Sequence, residues 1–265
     1  MAVTKQLIKD IRALNMKKYR DAEKVFVAEG PKVVSDLLPL LPCRQLFATP
    51  SFISSLPNEL RIKVSPYTEF IDQKTLERIS LLRTPHDALA VFEKPTEVAD
   101  EASLMQLPQE ALCLALDTVQ DPGNLGTIIR IADWFGIEHI FASHATADVY
   151  APKVVQATMG AIGRVKVHYV DLPLFLQKLP RTVAVYGTFL DGTDIYEHHI
   201  SNNGLIIMGN EGNGISSQVA QYVNQRLYIP PYPQGRDTSE SLNVAVATAV
   251  VCAEFRRRTT LGRKK

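Results

Sequence analysis

Apolar positions along this chain fall into two regimes that change near residue 100. In the first, short amphipathic stretches alternate. Residues 4–20 set Leu7, Ile8, Ile11 and Leu14 on one helical face, and residues 25–28 read as a strand. Gly30 and Pro31 open a helix through Val33, Val34, Leu37 and Leu38. Residues 45–48 and 88–92 read as further strands, with a helix over 69–79 between them. This pattern predicts a small α/β unit over residues 1–95. The chain then turns acidic and proline-containing with weak periodicity, which predicts a linker at 96–110.

From residue 111 to the end, strand and helix alternate without a break. Strands are predicted at 111–117, 138–143, 165–170, 182–189, 204–209 and 226–230, and helices at 124–135, 151–162, 173–179, 215–223 and 241–258. Strands this apolar, separated by helices, imply a mostly parallel sheet covered on both faces. The fold class is therefore α/β, with a second domain over 111–265.

Composition changes this picture little, and charge only locally. Apolar residues make up 46% and charged residues 22%, and the formal net charge is +1, so the protein as a whole is no polycation. The first twenty residues nevertheless hold Lys5, Lys9, Arg12, Lys17, Lys18 and Arg20 against Asp10 alone, and Arg256, Arg257, Arg258, Arg263, Lys264 and Lys265 close the chain. Basic ends suit a polyanion; they equally suit solvated helix ends. Cys43, Cys113 and Cys252 are too scattered for a zinc site or a disulfide framework, and a reduced, cytoplasmic setting follows most simply. The adjacent His198 and His199 offer no metal-ligand spacing, and no apolar run is long enough to span a bilayer, so neither metal nor membrane is expected.

Candidate chemistry concentrates in three segments, residues 117–130, 208–216 and 241–247. Each begins where an apolar strand ends and packs polar residues and glycines into a turn before a helix, which is where open α/β sheets place ligands. In the first, Asp121-Pro122-Gly123 forces a turn, Asn124 is placed to cap a helix from Leu125, and Arg130 points away from the apolar face of Ile128, Ile131, Ala132 and Phe135. Such an arginine either holds a phosphate or a developing oxyanion, or is an ordinary surface residue. In the second, Gly209, Gly212 and Gly214 leave backbone bare for a flat ligand, in a spacing unlike dinucleotide or Walker loops. Asn210 and Glu211 either face a reaction centre or cap the helix near Ile215. In the third, Ser241 and Asn243 start a helix rich in Ala and Val.

The order and spacing of Asn124 and Arg130, of Asn210-Glu211-Gly212 and of Ser241-Leu242-Asn243 resemble the three signature motifs of the SpoU/TrmH branch of the SPOUT RNA methyltransferases. The resemblance implies S-adenosylmethionine as methyl donor and an RNA ribose 2′-hydroxyl as acceptor. It also implies a trefoil-knotted C-terminal sheet and a homodimer with the site near the subunit boundary. Arg130 becomes the central catalytic residue, with Asn124, Glu211, Ser241 and Asn243 at the reaction centre. Gly209, Ile229 and Leu242 would enclose the donor, with Asn210 and, more weakly, Thr188 beside it. Residues 18–20 and 26–30 are similar to the start of the L30e-like substrate-binding domain of such enzymes, so Lys17, Lys18 and Arg20 are expected to touch RNA; Glu29 and Gly30 equally fit a plain strand-to-helix turn. Ribosomal RNA is the expected substrate ahead of transfer RNA, and an RNA-binding protein without catalysis is the alternative of another class. One departure is the stretch between Pro230 and Ser241, longer than that motif usually has, which either contacts RNA through Tyr232 and Arg236 or covers the donor.

Overall fold

The computed structural model describes residues 3–95, 100–233 and 241–262. It divides into two compact units, Met1–Glu97 with Asp148–Arg164, and Val98–Ala147 with Val165–Lys265. Against the expected spans 1–95 and 111–265, residues 148–164 belong to the first unit.

The first unit runs α1 (Lys5–Ala13), α2 (Lys17–Glu23), β1 (Val25–Glu29), α3 (Pro31–Leu37), β2 (Cys43–Ala48), α4 (Pro50–Ser55), α5 (Asn58–Val64), β3 (Thr68–Phe70), α6 (Gln73–Ile79) and β4 (Ala88–Glu93). Its strands lie in the order β1-β4-β2-β3, with β4 antiparallel to both neighbours and β3 parallel to β2. Alternate residues of β1 serve two cores. Val25 and Val27 pack with Ile11 and Leu14 of the first helical region, while Phe26 stacks on Phe92, centroids 5.8 Å apart. The single helix expected over 4–20 is two, because the carbonyls of Leu14 and Asn15 turn to the Arg20 guanidinium, at 2.8 and 2.7 Å. The helix expected from residue 69 starts only at Gln73, capped by Asp72 on the Thr75 amide; residues 68–70 pair with β2 instead.

The second unit opens with α7 (Glu101–Glu110), β5 (Leu112–Leu116), α8 (Pro122–Trp134) and β6 (His139–Ser143). After a segment carrying α9 (Pro152–Thr158), it continues through β7 (Lys166–Val170), α10 (Leu172–Lys178), β8 (Val185–Asp194), β9 (Gly204–Met208), α11 (Ser217–Ala220), β10 (Gln225–Tyr228) and α12 (Val244–Gly262). Part of the expected linker is therefore helix. Asp100 caps α7 at the Ser103 amide, and Pro108 sits near its end, where the break in periodicity had read as a loop. The six strands are all parallel, in the order β10-β8-β9-β5-β6-β7. From β5 the chain builds outward through β6 and β7, then returns to fill the other side. The order thus reverses beside β5 and β9, both wholly buried, and an open parallel sheet has its ligand crevice at such a reversal.

Residues 148–164 join the first unit through specific contacts. Tyr150 lies 5.0 Å from the ring of Phe26, Asp148 pairs with Arg20, and a Cβ on Gly160 would come within 2.8 Å of Asp36.

Candidate active site

The reversal point gathers the motif side chains into one hydrogen-bonded chain. Asp121, not Asn124, caps α8: its carboxylate accepts from the Asn124 amide at 2.7 Å, because the helix starts at Pro122, earlier than expected. The Asn124 side chain is thereby released. Its Nδ2 donates to Glu211 Oε1 at 2.9 Å, and its Oδ1 accepts from Asn243 Nδ2 at 3.0 Å. Asn243 is the cap of α12, its Oδ1 accepting from the amides of Ala245 and Val246, so only its Nδ2 is left to reach Asn124. These roles fix each amide's orientation, since a carboxylate can only accept.

Behind this chain stands a tight turn. Asn210 and Gly214 exchange two backbone hydrogen bonds, each 2.9 Å. Asn210 Oδ1 accepts from the amides of Gly212 and Asn213, while its Nδ2 donates to the Thr118 carbonyl at 2.8 Å. Neither Asn210 nor Glu211 caps α11, which begins after Ser216 without a side-chain cap. Gly209 is required by the turn. A Cβ there would meet Gly214 and Ile215 backbone at 2.2–2.4 Å, so its bareness is consumed by the turn itself. Gly212 and Gly214 stay open, with nothing nearer than 3.6 Å to a Cβ at the first and nothing within 4 Å at the second.

Two residues of this turn system escaped sequence reasoning. Asp117, buried at the end of β5, accepts from the Ser216 amide at 2.8 Å and from Thr118 Oγ1 at 3.2 Å. Thr118 adopts φ 64°, a conformation L side chains rarely accept, and so turns its carbonyl to Asn210. The available signal was an acid placed directly after an all-apolar strand.

Other expected site residues are more dispersed. Arg130 is exposed on α8, six residues beyond Asn124 and so about 9 Å along the axis, and takes no part in the Asn243–Asn124–Glu211 chain. Ser241 and Leu242 are exposed ahead of α12. Ile229 is half-buried just past β10, and Thr188 is half-buried where β8 leaves its regular ladder. Tyr232 is exposed; Arg236 and most of the long loop lie outside the described residues, as do Arg263, Lys264 and Lys265.

In the first unit, Lys17 and Lys18 are exposed on α2, Lys17 facing Asp21 at 3.4 Å and Lys18 over the Tyr19 ring. Arg20 is turned inward and only 2% exposed, held by Leu14, Asn15 and, at 2.5 Å, Asp148, which removes it from any RNA-facing surface. Glu29 is also structural. Buried, it accepts from the Leu81 amide at 2.9 Å and from the Ser80 hydroxyl, while burial pushes its carboxyl above the usual range. Two arginines of α12, Arg256 and Arg258, face the protein as well, while Arg257 is exposed and pairs with Glu254. Arg256 donates to the Phe135 and Gly136 carbonyls behind α8, and Arg258 to the carbonyls of Ile195, Tyr196 and His198 and to Glu254. Burial pushes the three free thiols up to about 12, away from nucleophilic use. No cluster of three or more His, Cys, Asp or Glu able to hold a metal, and no helix long and apolar enough to cross a membrane, occurs among the described residues.

Known proteins resemble this chain over nearly its whole length. A model of the SpoU rRNA Methylase family matches residues 111–253, and one of an MRM3-like substrate binding domain matches residues 5–90. Over 261 residues the chain is 30% identical to 23S rRNA (guanosine(2553)-2′-O)-methyltransferase RlmP of Bacillus subtilis, covering 95% of this chain and 96% of that one. A TrmH-family structure from Porphyromonas gingivalis superposes with a TM-score of 0.82 at 39% identity, covering 97% of this chain and all of the other. The AdoMet-bound rRNA methyltransferase of Sinorhizobium meliloti gives 0.82 at 29% identity, with 97% of each chain covered.

Proposed function

The chain belongs to the SpoU rRNA methylase family, and we propose on that premise that it transfers a methyl group from S-adenosylmethionine to the 2′-hydroxyl of a ribose in 23S-type ribosomal RNA. The observation that carries this reading is the hydrogen-bonded run Asn243–Asn124–Glu211 at the reversal of a parallel sheet, backed by the Asn210 turn. The residues present fit the donor. Gly212 and Gly214 leave open backbone for a flat adenosyl group, and the exposed Glu211 carboxylate sets negative charge beside the place a sulfonium cation would occupy. Bound there, the donor supplies an electrophilic methyl group with its leaving group already attached.

The protein's own part is orientation and charge. Asn124 and Asn243 fix the Glu211 carboxylate, and Asn210 braces its other oxygen from 3.4 Å. A ribose hydroxyl is a very weak acid, almost wholly un-ionised near neutral pH, so its alkoxide must be stabilised as it forms. A guanidinium is a fixed positive charge and a poor base, so the role of Arg130 is to stabilise the developing alkoxide and the neighbouring phosphate, not to remove the proton. Because Arg130 stands apart from the amide–carboxylate run, a second copy of the chain is taken to bring it to the ribose. Trp134, 84% exposed on α8, and the half-exposed Val246 on α12 supply apolar surface for that homodimer. Ser241 lies on the acceptor side, while Gly209, Ile229, Leu242 and Thr188 surround the donor. The unit containing Lys17 and Lys18 holds RNA, the C-terminal sheet is knotted, and the setting is cytoplasmic.

The test is methyl transfer from tritiated donor into ribosomal RNA isolated from cells lacking the gene, followed by mapping of the modified nucleotide. A new 2′-O-methyl, lost with Arg130→Ala, is expected. A methylated base, or equal incorporation by parent and variant, overturns the proposal.

A further inference from the structure

The pairing of β8 with β10 contains a large irregularity. Adjacent β10 residues Arg226 and Leu227 face Gly187 and Thr193, so residues 188–192 leave the ladder as a bulge. Glycine stands at both of its feet, and backbone contact makes it a steric requirement at Gly192. A Cβ on Gly187 would press on the Phe189 ring at 2.8 Å and on Ile215 and Val223 at 3.0 Å. One on Gly192 would strike the Leu227 backbone at 2.5 Å. The bulge is also braced across the sheet: the Arg226 guanidinium lies 3.5 Å from the centroid of Phe189 and pairs with Asp191 at 2.5 Å. Between those two braced residues stands Leu190, 78% exposed. One exposed leucine is ordinary on a protein surface, so exposure alone does not say that anything packs on it.

Its position is what marks it out. β8 pairs with β9 up to Gly187 and Ile207, two residues short of Gly209, so the bulge rises beside the turn 209–214 and beside the end of β10 that leads to Ile229. We propose that Arg226 is a positioning residue for the methyl donor, holding Phe189 and Asp191 so that Leu190 forms an apolar wall against the donor's adenosyl part. This deepens the reading above and rests on it. A planar, permanently charged guanidinium is needed because one group must stack on a ring and pair with a carboxylate at once; a lysine does only the second.

The experiment measures S-adenosylhomocysteine binding by titration calorimetry for the parent, Arg226→Ala, Arg226→Lys, Asp191→Asn and Leu190→Ala, with donor and RNA KM and kcat measured in parallel. Leu190→Ala is expected to weaken binding about tenfold, the scale of exposing most of a leucine side chain. Arg226→Ala should weaken it at least as much, Arg226→Lys and Asp191→Asn less, and each change should appear in the donor KM with kcat and RNA KM unchanged. Binding within twofold of the parent for Arg226→Ala and Leu190→Ala overturns the proposal, as does a rise confined to the RNA KM, which would assign the bulge to the acceptor. Thermal midpoints near the parent value separate positioning from unfolding. A parent that neither binds S-adenosylhomocysteine nor methylates RNA would instead sink the methyltransferase reading itself.

Discussion

Replacing Asn124 by Asp swaps the amide donor facing Glu211 for a second carboxylate at nearly unchanged shape. The two carboxylates would stand about as far apart as the present 2.9 Å bond. Their repulsion there is about 1.4 kcal/mol at the dielectric of water and about 6 kcal/mol at an effective dielectric of 20. Asn124 is half-buried and Glu211 exposed, so the lower part of that range applies. Repulsion between the two carboxylates favours keeping one proton on the pair, so the pair holds that proton to higher pH than a lone carboxylate would. Folding suffers less, because position 124 lies in the first turn of α8, where a negative charge gains about 0.3–1 kcal/mol from the helix dipole. The variant should therefore fold but transfer methyl about a hundredfold more slowly at pH 8, the scale of losing one oriented donor. Relative to the parent it should recover several-fold toward pH 6, as a shared proton restores the donor, while Asn124→Ala shows no such recovery. The assay is methyl incorporation between pH 5.5 and 8.5 at saturating donor. A ratio of Asn124→Asp to parent that stays flat across that range refutes the claim that Asn124 acts by donating to Glu211.

Three further outcomes are expected. Arg20→Ala, which strands Asp148, should cost about 3 kcal/mol of stability in denaturant unfolding, whereas Lys17→Ala with Lys18→Ala should leave stability unchanged and weaken RNA binding in a salt-dependent way. Gly209→Ala should abolish binding of S-adenosylhomocysteine in calorimetry and lower the thermal midpoint, because its Cβ has no room against the 214–215 backbone; Gly212→Ala should keep the parent midpoint and weaken binding only by intruding on the adenosyl face. His139 and His168, stacked with ring nitrogens 3.0 Å apart, are held below the ordinary histidine value by burial, His168 at about 4. An unfolded chain takes up protons at these sites from about pH 6.5 downward while the folded one does not. Their contribution is thus complete above pH 6.5 and fades between 6.5 and 4. His168→Gln should flatten the fall in thermal midpoint over that interval.

What the sequence made legible, and what it hid, divides by the range of the interactions involved. The strands of the parallel sheet announced themselves because burial on both faces leaves little but apolar residues, as in Leu112–Leu116 and Gly204–Met208. The polar turns after them were visible for the same reason, as abrupt ends to apolar runs. Hidden were features decided by partners distant in sequence. Arg20 reads as one more basic residue until Asp148, far along the chain, appears beside it; with that pairing the break between α1 and α2 becomes intelligible. Residues 148–164 likewise read as a continuation of the second domain, and it takes distant contacts, such as Tyr150 against Phe26 and Gly160 against Asp36, to assign them to the first unit.

The same division explains the glycines and amides of the site. Composition alone made Gly209, Gly212 and Gly214 equivalent, yet one is filled by its own chain and two remain open. Asn124 read as a helix cap because asparagine favours caps, but Asp121 is closer to the first free amides and takes that place. Displacement from the cap leaves a half-buried carboxamide with both a donor and an acceptor to satisfy, and Glu211 and Asn243 are the groups that do so. The run from α12 through α8 to the turn after β9 is therefore assembled by default once Asp121 occupies the cap. On this reasoning Asp121→Ala should disturb the site even though its carboxylate never touches the run: Asn124 would be drawn back toward the free amides of α8, and Glu211 would lose its orienting donor. Loss of methyl transfer in that variant, with α12 still capped by Asn243 and the thermal midpoint little changed, is the expected result. Full activity would mean that the Asn124–Glu211 contact holds without Asp121.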